Sequence, residues 1–449
     1  MLFGEDWLAE QGLVLAGLLA AMLCLVFRHP LVLVILLLLL CPLALHQVGS
    51  PASPELAVLF IVLVFRVAGI LWPAGQAADG RGNGACMLMV TGALLALRAD
   101  EFIVLVAGVE LFYWSGIGHF ACQSPGSRTG EAVLKGLVLG LAGTALILMG
   151  SALVWLVAEG SGAALVGAAL HQGWAPALGA VLILCGMSCK FGLFPFPMGL
   201  PDFVEGTPTG VGILWLTLSR ILLVPVWFTM LSTLDSTGPG GDILGWLVGM
   251  TLFVGFCMAL VQSVLRRMIG WLGVGAGGLL LLPLTRGGNV AEGMETVMLW
   301  TAVGMALGLC GWAVVMQRLE GRDPVELHLD DLAGLFRSRP DLAMLLMVFP
   351  GTLAGILPGF GFAGIYMLLM GLGEGRFNGP LAGGLVAWGV ILFTILRLFV
   401  RLGTEPTRRP ALTVPPASPL QAVTLVLLSV TLFLSGWLLA GWQWYERQS

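Results

Sequence analysis

A chain of 449 residues with 58% hydrophobic and only 10% charged residues and a mean hydropathy of +0.97 cannot build a water-facing surface, for which about 25% charged residues is usual. The composition specifies an all-α polytopic membrane protein, solvated mainly by lipid. The net charge of −4, with no basic run long enough to follow a phosphate backbone, excludes nucleic-acid binding.

A helical span needs roughly 20 apolar residues, and the sequence offers 14 such segments. The first three are predicted near 11–27, 30–48 and 55–73. Spans four to eight follow near 84–98, 101–121, 131–157, 175–200 and 207–231. Spans nine to thirteen lie near 243–264, 267–285, 293–316, 340–372 and 380–401, and the last near 419–441. Too little chain remains between them for an extramembrane domain.

Arginine placement sets the orientation. Loops after odd-numbered spans carry 12 Arg, whereas loops after even-numbered spans and the tails carry only Arg98, Arg286, Arg376 and Arg447. The positive-inside rule then puts the odd-to-even loops in the cytoplasm and both termini outside. The acidic start (Glu5, Asp6, Glu10) has no basic n-region followed by a cleavage site, so no signal peptide is expected. The longer linkers, 318–339 and the Pro-rich 405–419, fall on the cytoplasmic side.

Cys185 and Cys189 share a helix face, but two thiols without a second Cys or His pair make an incomplete metal set. The five His show no metal-binding spacing, and there is no dinucleotide fingerprint, P-loop, haem or iron–sulfur spacing. No metal or cofactor is therefore expected on this chain.

Six charged residues fall within predicted spans: Arg66, Glu110, Lys135, Lys190, Arg220 and Arg397. An ionisable group at membrane depth is costly and marks an ion pathway by default. Arg397 is near enough to its span end to snorkel. Lys135 follows Glu131 by four positions, which also suits a simple i,i+4 pair. Glu110 and Lys190 sit mid-span, out of reach of either surface. The chain has 19 Arg and only two Lys, Lys135 and Lys190. A lysine can alternate between charged and neutral forms, whereas arginine keeps its charge. The two lysines are therefore candidate proton carriers, and Arg220 supplies a fixed field.

Helix breakers occur at depth in two spans: Pro195 and Pro197 in the seventh, and Pro358 in the twelfth. Lipid does not tolerate unpaired backbone, so such breaks belong against protein or a water-filled cavity. Lying five spans apart, they occupy equivalent places in two five-span repeats, spans 4–8 and 9–13. An odd span count makes such repeats inverted. The chain then divides into an N-terminal three-helix segment (1–83), a first repeat (84–231), a second (232–401) and a Pro-rich loop with the last helix (402–449).

At these residues the chain resembles a known family. ADEFIVLVAGVELF followed by EAVLKGLVLG, and the block KFGLFPFPMGLPDFVEGTPTGV from Lys190 to Val211, are similar to the fifth to eighth helices of antiporter-like membrane subunits of respiratory complex I (NADH:quinone oxidoreductase). ALVQSVLRRMIGWLGVGAGG, DDLAGLFRSRP and GILPGFGFAGIY resemble the tenth- to twelfth-helix regions. The similarity runs from about residue 84 to 401 and looks most like the NuoN type. It implies a proton-translocating subunit in a bacterial inner membrane, among other membrane-arm subunits, with NADH, FMN, iron–sulfur clusters and quinone on partner subunits. Glu110 and Lys190 match the family's carboxylate–lysine pair, and Lys135 its sixth-helix lysine. Arg220 stands where the family has a lysine linking the half-channels. Three relay positions are lost: Ala276 and Pro197 replace histidines, and Ile365 replaces the twelfth-helix lysine. A degenerate, non-pumping assembly subunit stays open as an alternative, as does a hydrogenase-associated or Mrp-type antiporter subunit.

Overall fold

A computed structural model of the chain describes residues 16–23, 35–37, 58–59, 61–62, 80–99, 101–123, 127–156, 160–234, 239–286, 294–320, 327–353, 379–404, 425–426 and 430. Apart from two isolated bridges, the described residues form helices and turns, with no β-strand. Eight of the helices are long and apolar enough to cross a membrane. Spans one to three and fourteen, with Arg66, lie mostly outside the described residues, as do Pro358 and Ile365.

Grouped by the two repeats expected from the sequence, the first unit contains α1 (Gly80–Leu97), α2 (Phe102–Gln123), α3 (Ser127–Trp155), a short α4 (Leu165–Ala169), α5 (Trp174–Phe191), α6 (Gly199–Gly206) and α7 (Thr209–Leu231). The second contains α8 (Pro239–Val261), α9 (Leu265–Leu281), α10 (Met294–Glu320), a short α11 (Leu335–Ser338), α12 (Pro340–Leu353) and α13 (Gly379–Gly403). Helix α1 packs on α2, α3 on α5, α8 on α9 and α13, and α10 on α12. The two units meet where α7 packs on α10 and α9, and where α6 packs on α9. Helix α7 is accordingly buried throughout, with only Thr229 partly exposed.

Small residues let these backbones approach, as expected where lipid supplies no hydrophobic drive between helices. Between α3 and α5, Gly150 faces Gly179 and Gly143 faces Gly186, each against the other's carbonyl oxygen. A side chain on Gly150, Gly179 or Gly186 would collide with the opposite helix, and one on Gly143 would press on it at 3.0 Å. The seam therefore draws the end of α5, which carries Lys190, against the middle of α3.

The predicted break in the seventh span is real. Helix α5 stops at Gly192, whose left-handed backbone (φ 65°, ψ 46°) suits glycine, and the Leu193 amide donates to the Ser188 carbonyl at 2.9 Å. A Cβ at Gly192 would also lie 2.7 Å from that of Leu200. Pro195 and Pro197 follow in non-helical chain before α6 begins. The freed polar groups find protein partners: Arg220 Nη2 donates to the Phe191 carbonyl, and the Phe194 amide donates to Thr251 Oγ1 of α8 at 3.1 Å. This is the condition under which irregular backbone survives at membrane depth.

Candidate functional site

The glycine seam and the break converge on Lys190, in the last turn of α5. Its Nζ donates to Glu110 Oε2 of α2 at 2.8 Å, to Thr144 Oγ1 of α3 at 3.0 Å and to the Gly140 carbonyl at 3.3 Å. Thr144 Oγ1 lies 2.9 Å and 3.1 Å from the two oxygens of Glu110, and Trp114 Nε1 donates to Oε2 at 2.8 Å. The rings of Tyr113 and Trp114 flank the ammonium, with centroids 4.6 Å and 5.4 Å from Nζ. A cation over an aromatic face is attracted by the ring quadrupole, more strongly when desolvated. Tyr113 is itself fixed by donating to the Gly136 carbonyl at 3.0 Å.

Burial is uneven across the pair: the Lys190 side chain is 1% exposed and that of Glu110 19%. The lysine is sealed, while the carboxylate keeps an accessible edge. Three helices thus hold one carboxylate and one ammonium in hydrogen-bond contact, the lysine sealed from solvent, with a hydroxyl able to accept from one and donate to the other.

The other candidate residues sit elsewhere. Lys135 is 47% exposed near the start of α3, held by Glu131 at 2.8 Å and Asp202 of α6 at 3.0 Å. It shares an open polar cavity with Glu131, Asp202, Glu205 and Arg267 and does not touch the buried pair. Arg220 is fully buried on α7. Beyond its bond to Phe191, its Nε and Nη1 have no hydrogen-bond partner among the described residues, and Nη1 occupies the space where Gly277 lacks a side chain. Ala276, beside it on α9, is fully buried. Arg397 reaches the carbonyl of Leu260, near the end of α8, and at 2.9 Å that of Gln262, just beyond it.

Sequence reasoning missed Trp114, Thr144 and Tyr113. Trp114 could have been found, since it lies one turn beyond Glu110 on the same helix face. Thr144 gave no signal, because a hydroxyl in an apolar helix is normally satisfied by its own backbone; here it also reaches the Gly140 carbonyl at 2.9 Å.

This geometry has known relatives. The family model described as NADH:quinone oxidoreductase/Mrp antiporter, TM, matches residues 99–378. The chain belongs to that family. The chain is similar to NADH-quinone oxidoreductase subunit N of Ectopseudomonas mendocina, 30% identical over 321 residues, covering 70% of this chain and 65% of that protein. Subunit N 1 of Acidiphilium cryptum is also 30% identical, over 327 residues, covering 70% of this chain and 66% of its own length. The chain thus matches just under two-thirds of the length of these two relatives. A chain of respiratory complex I from Thermus thermophilus superimposes with a TM-score of 0.77 over 95% of this chain and 96% of its own, at 23% identity. At that identity the likeness establishes the antiporter-like membrane fold that places the buried pair.

Proposed function

We propose that this chain is a proton-translocating antiporter-like subunit of the NuoN type in a complex I-like NADH:quinone oxidoreductase. It would sit in a bacterial inner membrane among other membrane-arm subunits, with both termini outside. Quinone reduction and its cofactors belong to partner subunits, and this chain supplies the proton path. The observation that carries the reading is the 2.8 Å contact between Glu110 and a lysine sealed from solvent.

The pair can act as a switch. With the carboxylate against Nζ, the ammonium is compensated. When the carboxylate swings away or takes up a proton, the buried ammonium is left uncompensated and gives up one proton, becoming a neutral amine. The returning carboxylate favours reprotonation. Glu110, the less buried of the two, is the member of the pair that would take up a proton first.

The test uses the assembled complex in membrane vesicles, measuring protons moved per quinone reduced. Lys190→Ala and Glu110→Ala are expected to lower that ratio while the complex still assembles. An unchanged ratio in both variants would sink the relay and leave the assembly-subunit reading. Arg220 and Ala276 favour that second reading, since neither can hand on a proton where the family resemblance places titratable groups.

A further inference from the structure

The cytoplasmic ends of the two units are joined by a second buried charge pair, away from the relay. Arg266, at the start of α9, donates from Nε to Glu320 Oε1 at 2.8 Å, and its Nη2 lies 2.8 Å from Oε2. Glu320 is the last residue of α10, and both side chains are nearly buried. Such a bidentate fork fixes orientation as well as distance. The pair also grips the turn after α6: Thr209 Oγ1 donates to Glu320 Oε2 at 2.7 Å, and Arg266 Nη1 donates to the Thr207 carbonyl at 3.3 Å.

That turn joins α6, which follows the break of the seventh span, to α7. A helix end leaves carbonyls without intrahelical partners, and those near the end of α6 are claimed by both units. Thr129 of α3 donates to the Gly206 carbonyl at 3.0 Å, and Arg266 of α9 to that of Thr207. Arg267 extends the hold on α6 through Glu205 at 3.0 Å and Asp202 at 3.4 Å.

From α6 a column of rings leads to the relay. Phe203 packs edge-on against Trp215 with centroids 5.2 Å apart, Trp215 against Tyr113 at 5.9 Å, and the Tyr113 ring lies under Lys190 Nζ. A closely packed column transmits a displacement, since it contains no void to absorb it.

We propose that Arg266 and Glu320 are positioning residues: their ion pair clamps the α6 turn against the second unit, and the Phe203–Trp215–Tyr113 column sets the ring beneath Lys190 accordingly. The clamp makes the relay of the first unit depend on the cytoplasmic ends of α9 and α10. This inference rests on the proposed relay for its consequence, though not for its geometry.

The experiment has two readouts on the assembled complex. Spin labels at Met198 and Val261, both exposed, report the separation of α6 from α8 after the native cysteines are replaced. Protons moved per quinone reduced report the relay. Glu320→Gln and Arg266→Met are each expected to broaden the label distances and lower the proton ratio several-fold. Arg266→Lys, which keeps the charge but loses the fork, should fall between them and the parent, and it serves if either stronger variant fails to assemble. Arg339→Ala, which removes only an exposed local pair with Asp341, should change neither readout.

Unchanged distances in the clamp variants would overturn the clamp. Broadened distances with an undiminished proton ratio would overturn its link to Lys190. Failure of the relay itself is separable: there Lys190→Ala leaves the ratio intact, while the distance readout still judges the clamp.

Discussion

The first unit buries two cations at membrane depth and treats them differently. Lys190 meets a carboxylate, a hydroxyl, a carbonyl and two ring faces. In the core between the units, Arg220 meets one carbonyl and the bare backbone at Gly277. Lysine in a cage of adjustable partners is suited to exchange, since small side-chain movements change how well its charge is compensated. Arginine holds its charge whatever surrounds it. It serves instead to satisfy the broken end of α5, where a cation is favoured by the helix dipole. The contrast separates a group that can cycle from one that keeps the break in shape.

Three substitutions would break or sharpen this contrast. Gly277→Ala strikes the fixed side: its methyl would occupy the position of Arg220 Nη1. Overpacking of this kind costs about 1–3 kcal/mol. A lower thermal midpoint of the detergent-solubilised complex is expected, and an unaltered midpoint would show that Arg220 has room to move.

Thr144→Val strikes the exchanging side more gently. It keeps the volume but removes the hydroxyl between Lys190 and Glu110, with a loss of about 1 kcal/mol. A slower proton translocation with normal assembly is expected. If the rate does not change, the hydroxyl is a bystander in the switch.

Lys135→Ala should do least. Lys135 and Glu131 are exposed and Asp202 is partly buried, and pairs at a protein surface contribute about 0–1 kcal/mol. Thermal midpoint and proton ratio are expected to stay near those of the parent. A loss as large as that of Lys190→Ala would place Lys135 in the relay.

Much of this was legible in the sequence because charge is so scarce. Against apolar spans, Glu110 and Lys190 stood out singly, and the Pro-containing stretch after Lys190 marked the break. Helix α7 runs Thr209–Leu231 where 207–231 was expected, since both its ends are abrupt changes in polarity. Where boundaries moved, polar residues entered the helix. Helix α8 begins at Pro239 rather than 243, proline being well suited to a first turn. Helix α10 continues to Glu320 rather than 316, and its last carboxylate has a tertiary partner in Arg266 that no reading of α10 alone could reveal. Both lysines stood in apolar stretches, Lys135 being the weaker candidate because Glu131 lies four positions before it; the fold puts Lys135 at a rim and seals Lys190. The relay positions that the resemblance implies are lost include Ile365, which lies outside the described residues, and Ala276, which is buried on α9.

The four-glycine contact between α3 and α5 carries one last consequence. The glycines stand seven apart on both helices, close to two turns. A slip of one helix past the other by a single turn, about 5.4 Å, would drive side chains such as Ile147 and Ile183 into the opposing backbone. The seam therefore works as a register lock, and ratcheting of these helices is closed to the protein. Whatever alternation Lys190 undergoes must come from side-chain rotation and from movement on the α2 side, where Glu110 is mounted.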